Sequence, residues 1–400
     1  MAGRNVQKLK NNAPKIKVMR SPLISGLLFI GILCSVSFGV TFVDNHGQLK
    51  VSGNKIVDKD NKPITLHGMS MYCWAQQGLQ YYNAETVKKL VDEWKCTVIR
   101  VPILPYRTAS MTNQVKRVVD ACIEKGVYVI IDWHAMKGAD SNTTTVCNFF
   151  KTMATDYGNK PNVMYETWNE PERESWSQIK SYHEKVIAAI RSVDPDNIII
   201  CGNPQYDQRP DLAANDPITS STNIAYSVHF YAASHGSGFR TYAQNALSKV
   251  ALFATEYGTC EANGSGGINE SETRAWWSFL DDNSIGCANW SVAALEETSA
   301  ILPLGAPLTG WTDANLKPSG KLVKAYIISK YQGIGVINFK STPDKHVQNT
   351  KFTITNEPKS NIYTLQGTRV NGNSVNRAAN GIYTVQDKRI NKAQSVGIVR

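Results

Sequence analysis

The sequence predicts an α/β fold: a (β/α)8 (TIM) barrel with a short N-terminal hairpin and a small C-terminal β module. Three observations carry the prediction. Eight strand-like runs alternate with segments of helical spacing over roughly 290 residues, the rhythm of parallel strands wrapped in helices. The strand-like runs end in polar and aromatic residues, as barrel strands do where their loops gather on one face. No glycine-rich phosphate loop follows the first run, which disfavours the alternative, a doubly wound open sheet.

The chain opens on a basic leader, with Arg4, Lys8, Lys10, Lys15, Lys17 and Arg20 and no acid in the first 20 residues. An uncharged apolar run follows, Ser21 to Val43, ending in the small residues Ser35, Ser37 and Gly39. This is the pattern of an export signal, and the run is also long enough for a membrane anchor with its positive end inside. Residues 1–43 are therefore expected to be a signal peptide or signal anchor, and the rest of the chain to be exported, secreted or held at the cell surface. The bulky Leu33 before Cys34 argues against a lipid-modified cysteine. Seven further cysteines make an odd set without a Cys-x-x-Cys pair, so a zinc cluster is not expected and several should be small buried residues.

The catalytic barrel is expected over 44–332. A hairpin with Gly53-Asn54 as its turn comes first. Strand runs follow at 63–69, 96–103, 127–133, 163–168, 197–201, 224–229, 250–256 and 286–290. Helical spacing appears at 84–93, 113–125, 146–157, 176–193, 242–249, 270–280 and 321–331, with only a weak helix candidate near Asp211 after the fifth strand. The formal charge of +10 sits at the two ends of the chain. The body between them is mildly acidic, so a nucleic-acid partner is not expected.

The strand ends carry the chemistry. In order they present Arg100; Asp132-Trp133-His134; Asn169-Glu170 before Pro171; His229-Phe230-Tyr231; Glu256-Tyr257-Gly258; and Trp290. Pro171 cannot donate to a ladder, so it closes the fourth strand and leaves Glu170 at the rim. Strands four and seven lie three apart around a ring of eight, so Glu170 and Glu256 face each other across the mouth. Two opposed carboxylates suit hydrolysis of a glycosidic bond, one protonated to serve the leaving oxygen and the other ionised to attack. Arg100 and Tyr231 are suited to keep Glu256 ionised. Glu170, with no cation beside it in sequence, is the expected acid and base. Spacing alone leaves the retaining and inverting geometries both open.

In order and spacing, Leu66-His-Gly-Met-Ser70, Ile131-Asp-Trp-His134, Asn169-Glu170-Pro171, Asp194 to Ile200, His229-Phe-Tyr231, Thr255-Glu256-Tyr-Gly258 and Asn289-Trp290-Ser291 resemble the signature segments of glycoside hydrolase family 5, in particular its bacterial cellulase branch. The resemblance spans about 49–328. It implies a retaining endo-β-1,4-glucanase acting on cellulose and related β-glucans. Glu170 would be the acid/base, Glu256 the nucleophile and Asn169 the partner of a sugar 2-hydroxyl. Arg100, His134, His229 and Tyr231 would support them, and Trp290 would be a sugar platform. Glu297 matches a further branch position. Tyr72 and Leu295 depart from it, where the branch carries a histidine and a lysine, and Trp168 replaces a small residue. Those departures bear on substrate preference, and mannan or xyloglucan hydrolysis on the same scaffold is the nearest alternative.

Taken singly, His134, His229 and Trp290 would be core residues, and only their strand-end positions make them site candidates. Trp74 is a second sugar-stacking candidate; Trp276 and Trp277 are expected in outer packing, and Glu172 and Glu174 as solvated charges near a helix start. No His-x-x-x-His spacing supports a metal site, and no cofactor is expected. A non-catalytic glycan-binding barrel would have lost a carboxylate, and both are present. The partner is expected to be a polysaccharide, and the chain to act as a monomer. Residues 333–400 read as a small basic β module, with Asn361-Ile-Tyr-Thr-Leu echoed by Gly381-Ile-Tyr-Thr-Val. Lacking tryptophan, it is expected to be a surface-sorting tail more than a cellulose-binding accessory domain.

Overall fold

The computed structural model describes residues 40–331 except 137 and 139–141, together with the strands of a small sheet between 360 and 398. Eight strands close into a parallel barrel: β3 (His67–Met71), β4 (Val98–Ile103), β5 (Tyr128–Trp133), β6 (Val163–Glu166), β7 (Ile199–Cys201), β8 (Ile224–Tyr231), β9 (Leu252–Gly258) and β10 (Gly286–Val292), with β10 hydrogen-bonded to β3. The hairpin precedes them as β1 (Lys50–Ser52) and β2 (Lys55–Val57), turning at Gly53 with φ 60.

The helices between the strands follow from their apolar spacing. In Trp176–Arg191, Ile179, Tyr182, His183, Val186, Ile187 and Ile190 form one buried stripe, and Ser175 and Gln178 close a capping box at its start. Helix Thr108–Lys125 begins five residues before the expected 113, because its polar first turn carries no apolar period. For the same reason the helix expected at 242–249 is found at Ser237–Ala246. The weak candidate after β7 is a short helix, Pro210–Asn215.

The last three strands run two residues further than the sequence suggested, to Tyr231, Gly258 and Val292. Register shifts between Ser227 and His229 and between Cys287 and Asn289 accompany the extension. Such irregularities re-aim side chains, and here one of them sets His229 opposite Glu256.

The foot of the barrel is apolar. Val98, Tyr128, Ile130, Met164, Ile198, Ile200 and Phe253 fill its lower interior, covered by Leu49 and Ile56 of the hairpin and by the short helix Phe42–His46. Thr41 caps that helix, Val43 N–H donates to Gly126 O at 2.9 Å, and Phe42 lies edge-on to Tyr128. The folded unit thus uses residues 41–43, which the sequence assigned to the end of the export segment. Gly126 ends helix Thr108–Lys125 in the left-handed region, and a Cβ there would lie 2.2 Å from Thr41.

All seven described cysteines are free and six are buried. Residues 1–39, Cys34 included, lie outside the described residues, and so do residues 332–359. Among the described residues, no helix is long and apolar enough to cross a membrane. By itself the C-terminal unit is an antiparallel sheet of β11 (Ser360–Thr364), β12 (Arg369–Val370), β13 (Gly381–Asp387) and β14 (Lys392–Ile398), in the order β12-β11-β13-β14. The two echoing segments are neighbours in it, with Tyr363 opposite Thr384.

Candidate active site

Arg100 organises the mouth of the barrel. It enters from β4, where Ser70 and Ile130 are its register neighbours, and is fully buried. A buried guanidinium requires carboxylates, and three strands supply them. Nε donates to Glu166 Oε2 at 2.7 Å and Nη2 to Glu166 Oε1 at 3.2 Å, while Nη2 also meets Asp132 Oδ2 at 2.9 Å. Nη1 donates to Glu256 Oε2 at 2.8 Å. Nη2 further donates to Asn169 Oδ1, which orients that amide so that its Nδ2 is the donor left for the cleft, 3.5 Å from Met136 Sδ.

Glu256 receives a second donor, the Tyr231 hydroxyl, at 2.8 Å on Oε1. Burial alone would raise Glu256, but Arg100, then His229 and His134, outweigh it and hold the carboxyl below its ordinary range. Glu170 stands in the loop four residues past the end of β6 at Glu166, with its N–H donating to Ala135 O at 3.0 Å. Burial, reinforced by the Glu256 charge, pushes Glu170 above the ordinary range, although a hydrogen bond with His229 opposes this. The two carboxylates are thus driven apart in acidity by their surroundings. Their nearest oxygens lie within 4.8 Å of one another.

The sequence placed no cation beside Glu170, and the fold supplies one. His229 Nδ1 lies 2.9 Å from Glu170 Oε1, and Nε2 lies 2.8 Å from Thr255 Oγ1. Against the effect of burial, Asp207, Glu166 and Glu170 hold the imidazole well above its usual range. Asp207 reaches it from the turn after β7, where Gly202 packs so close to Trp168 O that a Cβ would lie 2.3 Å from it.

His134, hydrogen-bonded through Nδ1 to Asp132 at 2.8 Å, stacks on Trp290 with ring centroids 5.1 Å apart. Trp290 also meets Tyr72, and Trp74 lies edge-on to His134 with 37% of its surface exposed. Burial and then the Glu297 carboxylate push the Tyr72 hydroxyl up to about 12. Lys317 Nζ donates to Leu295 O at 3.1 Å and Glu296 O at 2.9 Å, and so fastens the loop that carries Glu297.

The fold therefore gathers Arg100, His134, Asn169, Glu170, His229, Tyr231, Glu256 and Trp290 at one end of the barrel, with Tyr72, Trp74 and Glu297 around them. Trp276 and Trp277 lie in the outer shell, stacked on Phe230 and Tyr326. Trp168 is buried, its indole N–H on Met136 O at 2.8 Å. Glu174 is not merely solvated: it accepts Gly138 N–H at 2.8 Å. Three groups were not singled out from the sequence. Glu166 is one, and its position inside an apolar strand was a signal, since a charge there demands a partner. Asp207 and Thr255 gave no such signal.

Two trios, Glu166-Asp207-His229 and Glu170-His229-Glu256, bring ligand-type atoms within 4.8 Å of one another. Their donors are already engaged: Glu166 by Arg100, and His229 by Glu170 and Thr255. The guanidinium supplies the positive charge a metal would bring.

The family description "Cellulase (glycosyl hydrolase family 5)" matches residues 57–295. Endoglucanase Z of Dickeya dadantii is 42% identical over 294 residues, 70% of this chain and 66% of that protein. A solved structure from Cytophaga hutchinsonii is 42% identical with a TM-score of 0.71, covering 74% of this chain and 98% of that one. The catalytic domain of Thermobifida fusca endoglucanase Cel5A, in a variant complexed with cellotetraose, is 28% identical with a TM-score of 0.68, covering 72% and 99%. With this match beside the paired carboxylates at the barrel mouth, the chain belongs to glycosyl hydrolase family 5 and is a glycoside hydrolase.

Proposed function

We propose that the protein is an exported, retaining endo-β-1,4-glucanase that cleaves internal bonds of cellulose and related β-glucans. The observation that carries this reading is the short reach between Glu170 and Glu256, within 4.8 Å at their nearest oxygens. A retaining pair stands roughly 5 Å apart, whereas an inverting pair needs about 6.5–9.5 Å to admit a water. The cellotetraose complex of the T. fusca relative supports a β-1,4-glucan as substrate.

In the first step Glu170 gives its proton to the leaving oxygen while ionised Glu256 attacks the anomeric carbon. The bond to the leaving sugar breaks as a glycosyl ester forms on Glu256. In the second step Glu170, now a carboxylate, takes a proton from water, which attacks the anomeric carbon and frees Glu256. Arg100 and Tyr231 fix one Glu256 oxygen each and leave the carboxylate aimed into the cleft. Asn169, its oxygen held by Arg100, offers Nδ2 to the sugar 2-hydroxyl. Trp290, braced by His134, is the platform for the sugar beside the cleaved bond, and Trp74 lies further along the rim. The segment before Thr41 is the export signal, and residues 333–400 form the surface-sorting module.

Reducing-sugar release from carboxymethyl cellulose, mannan and xyloglucan tests the reading. The intact protein is expected to act on carboxymethyl cellulose first. Glu256→Gln is expected to lose at least ~10³-fold in kcat, the scale seen when a nucleophile is removed. No release from any of the three polymers, or full activity in the variant, contradicts the proposal.

A further inference from the structure

The two steps above leave a buried carboxyl group beside His229 without a task. Asp207 follows β7, is fully buried, and stands behind His229 on the side away from Glu170. Its Oδ1 accepts Asn203 N–H at 2.6 Å and closes a turn. Its Oδ2 has no hydrogen-bond partner among the described residues and lies 3.5 Å from His229 Nε2. Closing the turn explains one oxygen and not the other, and an asparagine would close it equally well.

The backbone that delivers Asp207 is itself unusual. Gln205, Tyr206 and Asp207 have φ of 59, 60 and 58, the left-handed region that side chains with a Cβ enter at a steric cost. Tyr206 N–H holds the run by donating to Pro171 O at 2.9 Å. The segment bearing Asp207 is therefore fastened to the residue next to Glu170.

We propose that Asp207 is a positioning residue that acts on Glu170 through His229: its carboxylate keeps His229 charged, and the charged ring lets Glu170 become the carboxylate that the second step requires.

Every charged group around the ring enters this balance. Nδ1 faces Glu170, Nε2 faces Asp207 at 3.5 Å and Glu166 at 3.7 Å, and Glu256 acts from β9. Thr255 donates its own proton to Ser227 Oγ at 3.2 Å, so it accepts from Nε2, which carries a hydrogen. Glu166 is already matched by Arg100, whereas among the described residues the one cation facing Asp207 Oδ2 is His229. At nearly equal distance, Asp207 therefore has the stronger hold on the ring. Burial, outweighing the pull of His229, carries the Asp207 carboxyl well above its ordinary range. Cys201 nearby is pushed by burial to about 12 and adds no charge.

The proposal rests on Glu170 being the proton donor. Asp207→Asn keeps Oδ1 for Asn203 and removes the charge. With cellotetraose as substrate, the alkaline limb of kcat/KM is expected to move up by about half a pH unit or more, because a ring that loses its proton earlier no longer favours ionised Glu170. With 2,4-dinitrophenyl cellobioside, whose leaving group needs no proton, the shift should be absent. An unmoved or lowered limb in the folded variant overturns the proposal. Should the variant not fold, the nitrogen-15 signals of the His229 ring decide in the unaltered protein, assigned by their loss in His229→Asn. Both nitrogens protonated while Glu170 titrates is the expected result, and a neutral ring there overturns the proposal. Glu170→Ala separates the two readings. If it still hydrolyses cellotetraose, the donor assignment fails and takes the proposal with it. If it does not, and the Asp207→Asn limb stays put, only the role of Asp207 fails.

Discussion

The two ends of the barrel bury their contents by opposite means. At the foot, Phe42, Leu49, Ile56, Tyr128 and Phe253 exclude water with hydrocarbon, and polar groups beside them pair locally: His67 Nε2 meets Asp281 Oδ1 at 2.9 Å, and Asp281 also pairs with Lys330. At the mouth, Arg100 is surrounded by Asp132, Glu166 and Glu256, and His229 by Glu166, Glu170 and Asp207. Removing so much charge from water is a poor route to stability, since buried pairs seldom recover their desolvation cost. The mouth retains them because fixed charges in a dry site can separate the acidities of Glu170 and Glu256, which hydrocarbon cannot do.

Substitutions can break this contrast. The largest effect is expected from Arg100→Met, which leaves three buried carboxylates facing each other. It should cost about 3–5 kcal/mol in urea unfolding and abolish measurable turnover. Phe42→Ala is its counterpart at the foot. It should cost about 3 kcal/mol while leaving kcat unchanged, and a matching loss of kcat would show that the foot also shapes the site.

A third test compares buried histidines. His183 is hydrogen-bonded to the Thr167 hydroxyl at 2.8 Å and to Gly202 O at 2.9 Å, and burial lowers it from 6.5 to about 4. The unfolded chain takes up this proton more readily than the folded one. The contribution is therefore complete above pH 6.5 and is lost as pH falls towards about 4, by at most about 1.4 kcal/mol per pH unit. Unfolding measured across that range should show the slope, and His183→Gln should flatten it. The smallest effect is expected from Trp74→Ala at the exposed rim: KM for cello-oligosaccharides should rise about two- to tenfold with kcat held, as when binding common to ground and transition states is removed.

Much of this arrangement was legible in the sequence because barrel strands are short and end abruptly. Pro171 marks the loop that leaves the barrel rim after β6, which itself stops at Glu166, and so marks Glu170. Arg100, His134, His229, Tyr231 and Trp290 stand at or near the ends of apolar runs of the right length. Helix starts were legible only where the apolar stripe began, which is why Thr108 and Ser237 fell outside the expected helices. Glu166 was within reach, as a charge set in Val163-Met-Tyr-Glu that needs a buried partner. Asp207 was not, because nothing local marks a loop carboxylate that the backbone turns inward behind a histidine on another strand.

The sequence by itself determined the alternation of strands and helices, the family, and the residue types at the strand ends, because these depend on patterns within a few residues. The tertiary structure alone decided which of those residues touch. The closeness of Glu170 and Glu256, the imidazole beside Glu170 and the sharing of Arg100 among three strands arise from barrel closure and register shifts in β8 to β10. Those contacts join residues between 32 and 156 positions apart. The strength of an electrostatic interaction depends on distance and on exclusion of water, and neither is written in local sequence.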